Sequence, residues 1–127
     1  MAHFDALGIT ASDLAATLDF YRLAGLDIPE TDEGHVEVEL AGGFRLMFDS
    51  KAVVESFSTY EPAMGGRNVG LAFRCDSPAD VDATHAAMVA AGHTSKEAPF
   101  DAFWGQRYAT VLDPDGNPVD FYCTSES

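Results

Sequence analysis

The chain has 127 residues, room for one compact domain or for two small halves that share a core. Twenty-one Asp and Glu face seven Lys and Arg, a formal net charge of −14 that repels phosphate backbones and argues against any nucleic-acid partner while attracting cationic small molecules. No stretch nears the roughly 20 apolar residues of a membrane span, and the start MAHFDALGIT has no basic region followed by an apolar run; no membrane association and a cytoplasmic location are expected.

In chain order, LGITAS (7–12) alternates apolar with small or polar residues, as a half-buried strand does. SDLAATLDFYRLAGL follows with Leu14, Leu18 and Tyr21 on one helical face and Thr17 and Phe20 beside them. Ser12 and Asp13 offer the N-cap and Gly25 the stop. A turn-rich segment with Pro29 and Gly34 leads to the hairpin HVEVELAGGFRLMFDS around Gly42-Gly43. A connector, SKAVVESFSTYEPAMGGRN, carries the expected Pro and Gly, and its Tyr60 and Met64 are candidates for a lid.

The plan then repeats. VGLAFRCDS (69–77) reads as a strand and PADVDATHAAMVAAG as a helix with Pro78 in its first turn and Gly92 at its end. After a loop comes the hairpin WGQRYATVLDPDGNPVDFY, in which Asp113, Asp115 and Gly116 form the turn. Leu7 matches Leu71, Leu14 matches Val81, Gly25 matches Gly92 and Leu46 matches Val119. A repeated strand–helix–strand–strand–strand unit describes this economically, with module one at 4–50, the connector at 51–67 and module two at 68–123 of a single domain. A half of this size buries little apolar surface alone, so the halves are expected to pair around a cleft. Cys75 and Cys123, without CxxC spacing, are expected to be buried thiols.

These segments, above all WGQRYATVLDPDGNPVDFY, resemble the vicinal oxygen chelate superfamily of glyoxalases, extradiol dioxygenases and bleomycin-type antibiotic-binding proteins. FYRLAGLDIPE, GGFRLMFDS and WGQRYATVLDPDGNPVD are most similar to its mitomycin-binding resistance proteins. The resemblance implies an α+β fold of paired βαβββ modules forming a curved eight-stranded cleft, in a homodimer that shares strands between subunits. It also implies four inward positions where metal-dependent members carry His or Glu. Those positions here are Ala6, Met47, Gly70 and Asp120, of which only Asp120 suits a hard or borderline divalent ion. No cofactor and no metal site are therefore expected, and His3, His85 and His93 do not supply the missing ligands.

Strand alternation puts Pro118, Asp120 and Tyr122 on the cleft side with Trp104, Gln106, Tyr108, Thr110 and Leu112. From module one the expected inward set is Ala6, Gly8, Thr10, Val38, Leu40, Arg45, Met47 and Asp49, and from the start of module two Gly70, Ala72 and Arg74. The expected ligand contacts are Trp104, Tyr108, Asp49, Met47, Asp120, Tyr122 and His35, a wall of aromatics and carboxylates suited to a small planar or cationic molecule. Plainer roles stay open: Trp104 as a core cap, Tyr108 and Tyr122 as dimer packing, Asp49 as a partner of Arg45 or a strand end. No nucleophile turn or phosphate loop is present and no catalytic residue is assigned. The expected function is sequestration of an antibiotic-like molecule. The alternatives are an enzyme of the same superfamily, by acid–base chemistry at Asp49 or Asp120 or through a metal site in a shifted register, and a protein-interaction module.

Overall fold

The computed structural model describes residues 1–58 and 69–124. The chain divides into two compact units, Met1–Pro62 and Ala63–Ser127, with the boundary inside the expected connector.

The first unit contains β1 (Ala6–Ala11), α1 (Leu14–Leu23), β2 (His35–Glu39), β3 (Arg45–Ser50) and α2 (Lys51–Glu55). Its sheet runs β1-β3-β2, with β1 parallel and β2 antiparallel to β3. Helix α1 starts where the Asp13 carboxylate accepts the Ala16 N–H at 3.1 Å, and it ends before Gly25, whose φ of 113° an L side chain rarely adopts. Leu18, Phe20 and Tyr21 on α1 are buried, and the Tyr21 ring lies 5.2 Å from that of Phe48. Val36, Val38, Leu46 and Phe48 complete this core, each buried side chain contributing about 1.5–3 kcal/mol.

One register expectation is overturned. Val38 pairs with Leu46 and Val36 with Phe48, so Val38 is a core residue and does not share the face of Met47. The connection at Gly42-Gly43 is wider than a two-residue turn. It contains a 3-10 turn, Ala41–Gly43, closed by Gly43 N–H to the Leu40 carbonyl at 3.2 Å, and Leu40 N–H donates to the Phe44 carbonyl at 2.6 Å across the connection. That places Leu40 outside the strand and puts His35, Glu37 and Glu39 opposite Asp49, Met47 and Arg45. The connector opens with α2, capped by the Ser50 hydroxyl accepting from Val53 N–H at 3.1 Å. A Cβ at Gly34 would come within 2.3 Å of the Val53 side chain, so glycine lets α2 seat there.

The second unit contains β4 (Leu71–Arg74), α3 (Pro78–Ala90), β5 (Thr94–Ala102), β6 (Gln106–Leu112) and β7 (Pro118–Thr124), in sheet order β4-β7-β6-β5. Only the β4–β7 pair is parallel. The Ser77 hydroxyl caps α3 by accepting the Asp80 N–H at 3.1 Å. Val81 and Met88 of α3 are fully buried, as are Ala109, Val111, Val119 and Phe121 of the sheet beneath. In the β6–β7 turn, Asp113 Oδ1 accepts the N–H groups of Asp115 at 3.0 Å and Asn117 at 2.9 Å, while Gly116 takes φ 83°.

The repeat is visible in the pairings: Leu7 lies opposite Leu46 in one unit and Leu71 opposite Val119 in the other. The copies differ by one strand. The stretch before the second hairpin, read as a loop, forms β5. Residues 24–34 of the first unit contain no counterpart strand, so seven strands occur among the described residues against the eight expected. The second unit is βαβββ and the first βαββ followed by α2.

Candidate functional site

On β6 and β7 the odd–even alternation separates two environments. Ala109, Val111, Val119 and Phe121 face α3, and Tyr108, Thr110, Asp120 and Tyr122 take the opposite face. Thr110 lies directly across from Asp120, and its hydroxyl donates to Asp120 Oδ1 at 2.7 Å. Tyr108 donates its phenolic O–H to Oδ2 in a short bond. Both carboxylate oxygens are thus engaged from inside the sheet. Burial, then the bond to Asp120, pushes the Tyr108 phenol up to about 12, so it remains a proton-bearing donor at neutral pH.

An aromatic cluster continues from Tyr108. Trp104, 49% exposed, meets Tyr108 edge-on at 5.5 Å between centroids, Phe100 at 6.1 Å and Phe103 at 5.0 Å. Its indole N–H donates to Gln106 Oε1 at 2.8 Å, which fixes the ring plane. Four of the expected contact residues, Trp104, Tyr108, Asp120 and Tyr122, therefore share this sheet face. Phe100 and Phe103 belong to the cluster but were not singled out in the sequence. The spacing F-D-A-F-W offered only a weak signal, because β5 was not anticipated and Phe103 is 97% exposed.

The first unit carries the other three expected contacts, His35, Met47 and Asp49, on the face of its sheet away from α1. His35 Nδ1 lies 2.5 Å from Asp49 Oδ1, and its Nε2 lies 3.3 Å from Glu37. Glu37 also accepts from Arg45 at 2.6 Å, and Arg45 donates to Asp5 at 2.6 Å. The result is one chain of charges: Asp5, Arg45, Glu37, His35, Asp49. Of the two plainer roles open to Asp49, pairing with Arg45 is not the one realised, since His35 is its partner. The Asp49 bond holds the His35 pKa above its ordinary value, against a smaller opposing effect of burial. Gly8 lies opposite Met47, and a Cβ there would meet Met47 Cε at an ordinary 3.8 Å, so an alanine would fit without a clash. The suggested lid residues Tyr60 and Met64 lie outside the described residues.

The sequence matches the profile of the Glyoxalase/Bleomycin resistance protein/Dioxygenase superfamily over residues 2–121. The chain belongs to this superfamily. No curated protein matches it. Among solved structures it is similar to a glyoxalase/bleomycin resistance protein/dioxygenase family enzyme from Burkholderia phytofirmans (23% identity, TM-score 0.77, covering 97% of this chain and 99% of that one). It is also similar to a protein from Agrobacterium tumefaciens solved by NMR (28%, 0.70, 99% and 100%) and to a lactoylglutathione lyase from the same organism (22%, 0.65, 97% and 94%).

The donor set at the superfamily's ligand positions does not fit a divalent metal. In the first unit Ala6 offers no side-chain donor and Met47 only a thioether. In the second, Gly70 offers no side-chain donor, and one carboxylate, Asp120, cannot hold a metal alone. Among the described residues no group of three His, Cys, Asp or Glu side chains converges to hold a metal. His85 bonds Ser95 at 2.7 Å from α3 and so belongs to the helical side of the sheet.

Proposed function

We propose that this superfamily member is a small-molecule binding protein that sequesters a partly aromatic, neutral-to-cationic compound without a metal and without breaking a bond in it. The specific case is protection from an antibiotic of the mitomycin type, in the cytoplasm and as a homodimer. The observation that carries this reading is the Asp120 carboxylate, clasped by Tyr108 and Thr110 beside the half-exposed Trp104. A charge fixed by two donors is oriented to attract a cation, and an aromatic face next to it stacks on a planar group. The net charge of −14 favours the same class of ligand.

A second reading, enzymatic acid–base chemistry, draws on the Tyr108–Asp120 pair and on the likeness to a lactoylglutathione lyase. A phenol pushed up to about 12 is a reluctant acid at neutral pH, which favours holding over proton transfer. Calorimetric titration of full-length protein with planar cationic and neutral antibiotics, mitomycin among them, tests the proposal. Saturable binding with the compound recovered chemically unchanged is the expected result. Steady conversion of the compound to a product overturns it in favour of the enzyme, and a panel with no binder overturns the sequestration reading.

A further inference from the structure

The two cysteines of the chain, Cys75 and Cys123, lie 48 positions apart in sequence yet on neighbouring strands of one sheet. β4 and β7 pair in parallel through Arg74 opposite Tyr122, and the Cys75 N–H continues the ladder by donating to the Tyr122 carbonyl at 2.7 Å. That step sets Cys75 opposite Cys123. Both side chains belong to the α3 face, two residues beyond the Phe73–Phe121 pair, whose rings are 5.7 Å apart. Adjacent strands run about 4.7–4.9 Å apart, inside the roughly 4.4–6.8 Å separation of Cα atoms that a disulfide bridges.

The two thiols differ in access. Cys75 is buried, and burial, with Asp80 adding to it, pushes its thiol up. Cys123 is partly exposed and lines a cavity of about 800 Å³ with Asp76, Ser77, Asp101 and Thr124. The cavity admits a small reagent to one sulfur only, and of its two aspartates Asp101 is paired with Arg107 at 3.2 Å, so Asp76 supplies its net negative charge.

We propose that Cys123 and Cys75 form a reversible redox pair, oxidised by a low-molecular-weight cationic disulfide. The Cys123 thiolate attacks one sulfur of the reagent, whose S–S bond breaks and releases one thiolate. Cys75 then gives up its proton, attacks the Cys123 sulfur of the mixed disulfide and expels the second thiolate. Two protein thiols are oxidised, one reagent disulfide is reduced to two thiols, and the two cysteine protons end on them. This bond is independent of the ligand-binding reading, since neither cysteine is on the Asp120 face.

Full-length protein treated with cystamine or with glutathione disulfide at equal concentration, followed by intact-mass and non-reducing peptide analysis, tests it. The expected end state is a chain lighter by two hydrogens, with the Cys75 and Cys123 peptides joined. Cys75→Ser stops at the mixed disulfide on Cys123, and Cys123→Ser stays unmodified while folded. The dication is expected to react about tenfold or more faster than the anionic glutathione disulfide, and equal rates refute the assigned reagent class. A wild-type chain that halts at the mixed disulfide, links to a second chain or closes the bond only in denaturant overturns the pair. If Cys75→Ser does not fold, the wild-type time course decides, since the mixed disulfide must rise and decay before the internal bond appears.

Discussion

The two units share a strand–helix plan and a core pairing, yet their opposite faces are built from different chemistry. In the first, the face away from α1 is a chain of alternating charges from Asp5 to Asp49. In the second, the face away from α3 carries the Asp120 carboxylate, which accepts two hydroxyl protons, together with five aromatic rings, Phe100, Phe103, Trp104, Tyr108 and Tyr122. The cores contrast as well. The buried polar groups Thr110 and Asp113 of the second unit are hydrogen-bonded, whereas the Thr17 hydroxyl of the first is buried with no partner among the described residues. The helix side repeats what folding needs in both units, and the other side differs between them.

Substitutions that attack the shared part are expected to have the largest effect. Phe48→Ala and Phe121→Ala remove fully buried rings at comparable places, and each is expected to cost about 3–5 kcal/mol in denaturant unfolding. A small loss for either one breaks the claim that the two units share a core pairing. Asp120→Leu strands the Tyr108 and Thr110 hydroxyls and is expected to cost about 2–4 kcal/mol of stability, while Asp120→Asn chiefly weakens a cationic ligand. Equal losses for cationic and neutral ligands in Asp120→Asn remove charge from the account of that face.

Trp104→Ala is expected to weaken a planar ligand by about 1–3 kcal/mol in calorimetry with little change in unfolding, because the ring is already half exposed. Thr17→Val should raise stability by about 1 kcal/mol, by removing a buried hydroxyl that has no hydrogen-bond partner among the described residues. A neutral or negative result means the asymmetry between the cores is not energetic. The smallest effect belongs to His35. Its folded pKa is raised, so its stabilisation is fully present below the ordinary histidine range and fades as pH rises through the folded value. Wild type compared with His35→Gln across that range should show the difference shrinking with pH, and NMR titration of the ring should place its pKa above 6.5.

Much of this was legible in residues of strict period. Val119 and Phe121 against Asp120 and Tyr122 follow from alternation alone, and the DPDGN turn pins their register to β6. Val38 was misplaced because Gly42-Gly43 suggested a tight hairpin, and the wider Leu40–Phe44 connection moves the strand by one position. The signal was present: Val36 and Val38 alternate with His35, Glu37 and Glu39, a pattern that matches Leu46 and Phe48 and not Met47. β5 escaped because an edge strand reading TSKEAPFDA has charge, Pro99 and two register irregularities in place of β-branched alternation. The charge chain from Asp5 to Asp49 depends on contacts as distant as 40 positions, which no local pattern encodes.

Trp104 is the one tryptophan of the chain, and it sits half in solvent with Tyr108 5.5 Å away. The protein therefore contains its own optical reporter at the place where a ligand is proposed to land. Excitation at the red edge of indole absorption isolates a single emitter, free of signal from elsewhere in the fold. Its colour registers how wet that face is, and its quenching counts occupancy.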